Sequence, residues 1–590
     1  MGSRRALAGL ALCASLLLQA CGGAADSAPT GNSEGSSGNS ASSLAPAEKP
    51  SLRDAAARFL TQATFGPTEA DIDHLMDVGY GGWIDAQLAL PASSHRAAWE
   101  AADALIKARD VSSGAKQNEV LQSFWKQAIS GEDQLRQRMA YALSQIFVIS
   151  TSSDSVGNNP RGVAAWLDML GQQGLGNYRD LLESVSLHPL MGAYLSHLRN
   201  QKADARTGRV PDENFAREVM QLFSIGLVEL NPDGSVRTAA GKPIETYGAE
   251  DVAGLAKVFT GFSWSCPSWP DNGCFFWGSV NDQSDPDRIF NPMLGYPQFH
   301  ATEEKSFLGT SLPAQSHGDP EASLKAALDT IFNHPNVGPF IGRQLIQRFV
   351  TSNPSPQYVA AVSAAFAGGS GSARGDMRAV LKAVLMHPEA RQVSNTSGKV
   401  REPVLRLSAF LRAFDFSSDT GEYRIGNTDS SGESLGQTPL RAPSVFNFYR
   451  PGYIAPGTEA AAFGLVTPEM QIAHETTAAG YANFMRDNIA SGVGGWNSVT
   501  QRRDMQAGFA AELALAEQPA ELLESINHKL FYGAMPADLK AEIVAAVESI
   551  AIPVLNSKAT NQKQIADARR ARVNAALFLA VVSPEFQVQK

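Results

Sequence analysis

The densest polar chemistry in this chain lies on Pro211-Asp-Glu-Asn-Phe-Ala-Arg-Glu-Val-Met-Gln-Leu-Phe223. Proline suits the first turn of a helix, and the acids beside it suit the positive end of the helix dipole. Glu213 and Arg217 are four residues apart, as are Asn214 and Glu218, and Gln221 extends the second row, so each set shares one helix face. Phe215, Val219 and Leu222 form an apolar stripe, and Phe223 and Ile225 add apolar surface round the rest. Such a helix is expected to be mostly buried, with its charges paired. Read chemically, Glu213 or Glu218 is an acid-base or ligand-binding carboxylate positioned by Arg217, with Asn214 and Gln221 as further binding groups. Read architecturally, the same residues are an ion-pair network holding helices in register. Hydrolysis by two carboxylates needs them a defined distance apart across a substrate. Two glutamates five residues apart on one helix do not supply that spacing, so a third acid would have to join them, with His188 as a further catalytic candidate.

Three histidines precede prolines, at His188-Pro189, His334-Pro335 and His387-Pro388, each near an apolar stripe of helical period, and Ser583-Pro584 holds a comparable place. Three imidazoles could converge on a metal. The alternative is a repeated corner, because proline excludes the helical conformation from the residue before it and can begin the next helix. No H-x-x-x-H or E-x-x-H pair accompanies them, which favours the corner and leaves no metal site or cofactor expected. Asp282, Asp285 and Asp287 lack the spacing of a calcium loop and read as a solvated acidic loop. Phosphate-binding loops and H-E-x-x-H are absent from the sequence, and no G-x-S-x-G stands in the strand-to-helix context of a nucleophile elbow.

The elements that must position these groups are helical. Apolar residues recur at helical spacing over 135–149, 322–332, 340–350, 379–386, 541–550 and 573–582. The best strand signal is Gly226-Leu-Val-Glu-Leu230, then Asn231-Pro-Asp-Gly234 and Ser235-Val-Arg237, a small hairpin by its turn residues. The fold class expected is therefore mainly α: a large multi-helix body with long irregular loops, at 263–318 and 414–443, and one small β-hairpin. Sub-domains would part near 370 and 414–440. Cys266 and Cys274 flank a turn-rich stretch without metal-ligand partners, so a disulfide closing a small loop is expected. That bridge would stiffen a loop bearing Trp264, Trp269 and Trp277, which are candidate binding residues.

The amino terminus reads as a lipoprotein signal. Arg4 and Arg5 precede an apolar stretch from Ala6 to Leu18, and Leu18-Gln-Ala-Cys21 follows, so residues 1–21 are expected to direct export, with Cys21 lipidated. An ordinary signal peptide or a twin-arginine signal is the weaker alternative. The apolar run is shorter than the ~20 residues a bilayer span needs. Gly22 and Gly23 lack the aspartate that retains many bacterial lipoproteins at the inner membrane, which favours the outer one. Residues 22–50, rich in Gly, Ser, Ala, Asn and Pro, read as a flexible tether, and 51–590 as the folded body. A net charge of -10 without a long basic block argues against a nucleic-acid partner.

Several long motifs fall together in order: Phe59-Leu-Thr-Gln-Ala-Thr-Phe-Gly-Pro67, Glu213 to Leu227, Glu250-Asp-Val-Ala-Gly-Leu-Ala-Lys-Val-Phe-Thr-Gly-Phe262, His334 to Pro354, Ala442-Pro-Ser-Val-Phe-Asn-Phe-Tyr449 and Ser583-Pro-Glu-Phe586. With them the chain resembles, over nearly the whole body, the bacterial family catalogued as domain of unknown function 1800. The resemblance implies an exported or envelope-associated protein of unestablished activity and no agreed catalytic residues. It also implies a protein partner from an exported family that looks like sulfatases and phosphatases. Two functions remain from the sequence: a lipid-tethered binding or assembly module for an exported partner or surface polymer, or an envelope hydrolase using carboxylates in a helix-lined cleft.

Overall fold

Each helix of the body exists because its apolar residues, spaced at 3.6, find a face to cover. The computed structural model describes residues 48–394 and 397–590. Within them are 25 α-helices joined by loops and small antiparallel strand pairs, a mainly α fold. One apolar core runs from Ala56 to Phe586. The stripes at 322–332, 340–350, 379–386 and 573–582 fall on Pro320–Asn333, Val337–Phe349, Met377–Met386 and Gln562–Val582. The stripe over 135–149 outruns its helix, Gln134–Ser144, because the chain leaves helical geometry at Gln145 while Ile146 to Ile149 stay buried. Cys21, the signal and most of the tether lie outside the described residues. Glu48 to Pro50, the end of the segment read as tether, rest on the body through a Glu48–Arg391 ion pair and a Tyr80 N–H donated to the Glu48 carbonyl.

The proline corners share one local cause. His188, His334, His387 and Ser583 all take extended backbone, with ψ between 124° and 147°, and end one helix. Each then turns its side chain onto the backbone ahead: the three Nδ1 atoms accept from the amides of Leu190, Asn336 and Glu389, and the Ser583 hydroxyl accepts from Phe586. The histidines thus act at the start of the following turn, satisfying its free N–H groups, rather than at the C-terminal dipole of the helix before. Among the described residues no group of three His, Cys, Asp or Glu side chains is placed to hold a metal ion.

A longer repeat underlies the corners. Leu143-Ser-Gln-Ile-Phe-Val-Ile-Ser150 matches Leu345-Ile-Gln-Arg-Phe-Val-Thr-Ser352, and Pro160-Arg-Gly-Val-Ala-Ala165 matches Pro356-Gln-Tyr-Val-Ala-Ala361. Gly176-Asn-Tyr-Arg-Asp-Leu-Leu-Glu-Ser-Val-Ser-Leu-His-Pro189 matches Gly375-Asp-Met-Arg-Ala-Val-Leu-Lys-Ala-Val-Leu-Met-His-Pro388. The helix series Gln134–Ser144, Pro160–Gln173 and Tyr178–Leu187 therefore recurs as Val337–Phe349, Pro356–Phe366 and Met377–Met386. In both copies the first helix packs on the second and the second on the third. The copies touch reciprocally: Tyr178 N–H donates to the Gly375 carbonyl, and Met377 N–H to that of Gly176.

The hairpin forms at Leu230 and Val236 with a third segment beside it, Ile244 N–H donating to the Arg237 carbonyl and Glu229 N–H to that of Ile244. Cys266 and Cys274 are bonded, with Cα atoms 5.6 Å apart, and the half-cystines pack with Phe275 and Tyr296 in a small core of their own. Reducing the bridge is expected to leave the main core in place while loosening this satellite.

Candidate functional site

The first wall of the site is the helix Asn214–Gln221, and the structure separates its two glutamates. Glu213 and Arg217 pair at 3.2 Å on the exposed face, where an ion pair adds little to stability. Asn214 is also exposed, its amide donating to the Ser196 hydroxyl. Glu218 is buried, 6% exposed, with one carboxylate oxygen that has no hydrogen-bond partner. Burial holds its carboxyl above the usual range, and the nearby Arg217 charge pulls only partly the other way. The expectation that the charges of this helix would all be paired thus holds for Glu213 and Arg217 and fails at Glu218.

One turn beyond Glu218, Gln221 and Leu222 line a cleft of about 440 Å³. Its polar lining is Gln145, Gln221, Gln344, Arg348, Tyr449 and Arg450, and it contains no Asp or Glu. Its apolar lining includes Leu227, Phe340, Val445 and Phe446. Volume and composition are those of small-molecule sites, which are mostly apolar with a few placed polar groups. Local chemistry fixes the walls. Gly226 takes φ 74° after the helix, and a Cβ there would come within 2.7 Å of the Phe340 ring, so only glycine lets the turn close against that wall. Opposite, Asn447 at φ 64° turns the Ser444–Tyr449 segment inward, and Tyr449 is buried.

Beneath the cleft lies a buried polar network. Arg348, in the last turn of Val337–Phe349, donates to the Gln145 carbonyl at 2.8 Å, and its own carbonyl accepts from Arg138 and Lys399. Lys399 pairs with Glu469 at 2.9 Å, both sealed from solvent. Glu402 accepts from Tyr141 and Gln437, at 2.8 Å each, and from Gln145. Burial pushes the Glu402 carboxyl upward, but the Lys399 and Arg138 charges and the amide donors outweigh it and hold it below its ordinary value. Arg138, Arg348 and Lys399 thus face only Glu402 and Glu469, and neither arginine makes an ion pair among the described residues.

The remaining sequence candidates stand apart from the cleft lining. His188 is buried against the Trp166 ring, ring centroids 4.9 Å apart; with Nδ1 accepting from Leu190, its proton sits on Nε2, which has no acceptor. Burial lowers its pKa to about 3, which suits a corner residue and not a proton shuttle near neutrality. Trp277 and Trp269 are exposed, at 73% and 46%, while Trp264 is half-buried against the main core. Asp285 accepts from Ser265, Asn291 and the Asp287 amide, and Asp287 pairs with Arg161, so both organise their loop.

A family model described as "Protein of unknown function (DUF1800)" matches residues 58–588. The chain belongs to this family. No curated protein matches it, and no solved structure does. Family membership thus carries no reaction with it, and the cleft has to be read from its own residues. Sequence reasoning named Gln221 as a candidate but not Gln145, Gln344, Arg348, Tyr449 or Arg450. The signal that could have found them is the repeat, which places Gln145 and Arg348 on its two matching L-x-Q-x-F-V-x-S segments.

Proposed function

We propose that this member of the DUF1800 family is an exported, lipid-anchored binding or assembly module of the cell envelope, serving an exported partner or a surface polymer. The observation that supports binding over hydrolysis is the lining of the cleft: donors and apolar side chains surround it, and no carboxylate enters it. The signal-like start and Cys21 support export and outer-membrane anchoring through lipid. The resemblance supports a sulfatase- or phosphatase-like exported partner. The test of the anchor is incorporation of azide-tagged palmitate into the full chain in its own host. Label is expected on the native protein and not on Cys21→Ser; an unlabelled native chain would contradict the anchored reading.

One observation favours the hydrolase alternative. Glu218 is a buried carboxyl with a free oxygen and a raised pKa, one turn from the cleft. The binding reading treats this carboxylate as strained, with no ion pair to lose. Because its folded pKa is raised, the stability it contributes is present below the unfolded value of about 4.3 and is lost as pH rises through the folded value. Glu218→Gln is therefore expected to leave urea stability at pH 7 unchanged or to raise it by about 0.5–2 kcal/mol. A loss as large as the roughly 3–5 kcal/mol of a broken buried pair would instead show a partner that holds the charge.

A further inference from the structure

The cleft has a charge that its walls do not balance. Arg348 is 2% exposed and Gln344 6%, yet both reach the cleft, and both carry a buried donor, Nε and Nε2 respectively, that meets no acceptor among the described residues. Unpartnered buried donors are costly, and a buried cation more so, unless something supplies the acceptor. Of the buried carboxylates beneath the cleft, Glu469 pairs with Lys399, and Glu402 accepts from Tyr141, Gln145 and Gln437 through Oε2 while its Oε1 meets no donor, so neither reaches the open donors of Arg348 and Gln344. At the rim stands a second cation, Arg450, exposed and laid over the Phe446 ring at 4.5 Å. The apolar part of the lining includes Leu222, Leu227, Phe340 and Phe446.

We propose that the cleft is the binding site for a small organic anion: a carboxylate, phosphate or sulfate group seated against Arg348, Gln344 and Arg450, with an apolar or aromatic body against Leu222, Phe340 and Phe446. The guanidinium is the side chain best shaped to take a planar or tetrahedral oxyanion, and the anion supplies the acceptors that the wall lacks. Gln145 and Gln221 offer further amide groups along the same lining. The aromatic rings accept a flat apolar body by offset or edge contacts. This inference rests on reading the cleft as a binding site and names the chemical class it takes.

The probe is 2-naphthoate, titrated calorimetrically into the purified full chain, with 2-naphthyl phosphate, 2-naphthalenesulfonate and the neutral 2-naphthalenemethanol as comparators. The anions are expected to bind, and the alcohol at least tenfold more weakly, a difference of about 1.4 kcal/mol. Leu227, exposed on the lining, and Arg450, exposed at the rim, allow variants that spare the core. Leu227→Asp and Arg450→Gln are each expected to weaken naphthoate binding several-fold without moving the urea midpoint, and the alcohol is expected to be insensitive to Arg450→Gln. Equal binding of the alcohol and the naphthoate would overturn the anion proposal while leaving a binding cleft in place. Failure of all four probes on the native chain would overturn both.

Discussion

Replacing Glu402 by alanine is expected to cost about 3–5 kcal/mol of folding stability, enough to leave a domain of ordinary stability close to unfolding. The reason is the company this carboxylate keeps. It is wholly buried, it accepts from Tyr141, Gln145 and Gln437, and its charge offsets Lys399 and Arg138. Without it, three donors lose their acceptor and three buried cations face Glu469 alone. Glu402→Gln keeps the volume but not the charge, and is expected to recover only part of the loss. Because the Glu402 carboxyl is held below its ordinary value, its contribution is present above the unfolded pKa of about 4.3 and is lost only as pH falls through the folded value. Urea midpoints of the two variants at pH 7 check this directly. A change under about 1 kcal/mol for the alanine variant would mean that the network is not closed.

Acid is expected to destabilise the protein well before the carboxylates titrate. Four buried histidines are held neutral: burial lowers His95, takes His188 to about 3, and takes His197 and His300 to about 4. His197 lies stacked on Phe215 at 3.8 Å and donates Nε2–H to the Ser186 carbonyl, while His300 lies between the Thr260 carbonyl and the Ser323 hydroxyl. Unfolded, each takes up a proton near pH 6.5. Stability is therefore full above that value and erodes as pH falls toward the folded values. His188, His197 and His300 alone, taking up three protons on unfolding, give a slope approaching about 4 kcal/mol per pH unit near pH 5, and His95 adds to it. Glu218 and Glu469, whose carboxyls burial raises, take up protons in the folded state and reduce that slope at its acid end. Urea unfolding at pH 7.5, 6.0 and 5.0 checks the trend. His188→Asn, which keeps a capping side chain without the titration, is expected to lower the slope by one proton's share, about 1.4 kcal/mol per pH unit. A flat profile from pH 7 to 5 would contradict the buried neutral state.

The helical class was legible because amphipathic period is a local property, and so was the corner at each His-Pro, since proline acts on its immediate neighbour. The Cys266–Cys274 bridge was legible from eight residues of separation and the absence of other ligands. The network under the cleft was not, because its members, Arg138, Arg348, Lys399, Glu402 and Glu469, are scattered over the chain, two on the repeated helix sets and three on later segments, and meet only in the packed fold. Periodicity also misjudged the burial of Glu213 and Arg217: a helix with one strong apolar stripe still leaves a solvated face, and that face carries this pair. Glu218, on the same short helix, goes inward because it lies beside Phe215 and Val219 rather than opposite them.

The central claim is that binding occurs in the acid-free cleft and not at the exposed tryptophans of the disulfide loop. Amide hydrogen exchange of the full chain, with and without saturating 2-naphthoate, tests it most directly. Slowed exchange is expected in the segments that line the cleft, 221–227, 340–348 and 445–451. Protection confined to 264–277, or to no segment at all, would contradict it.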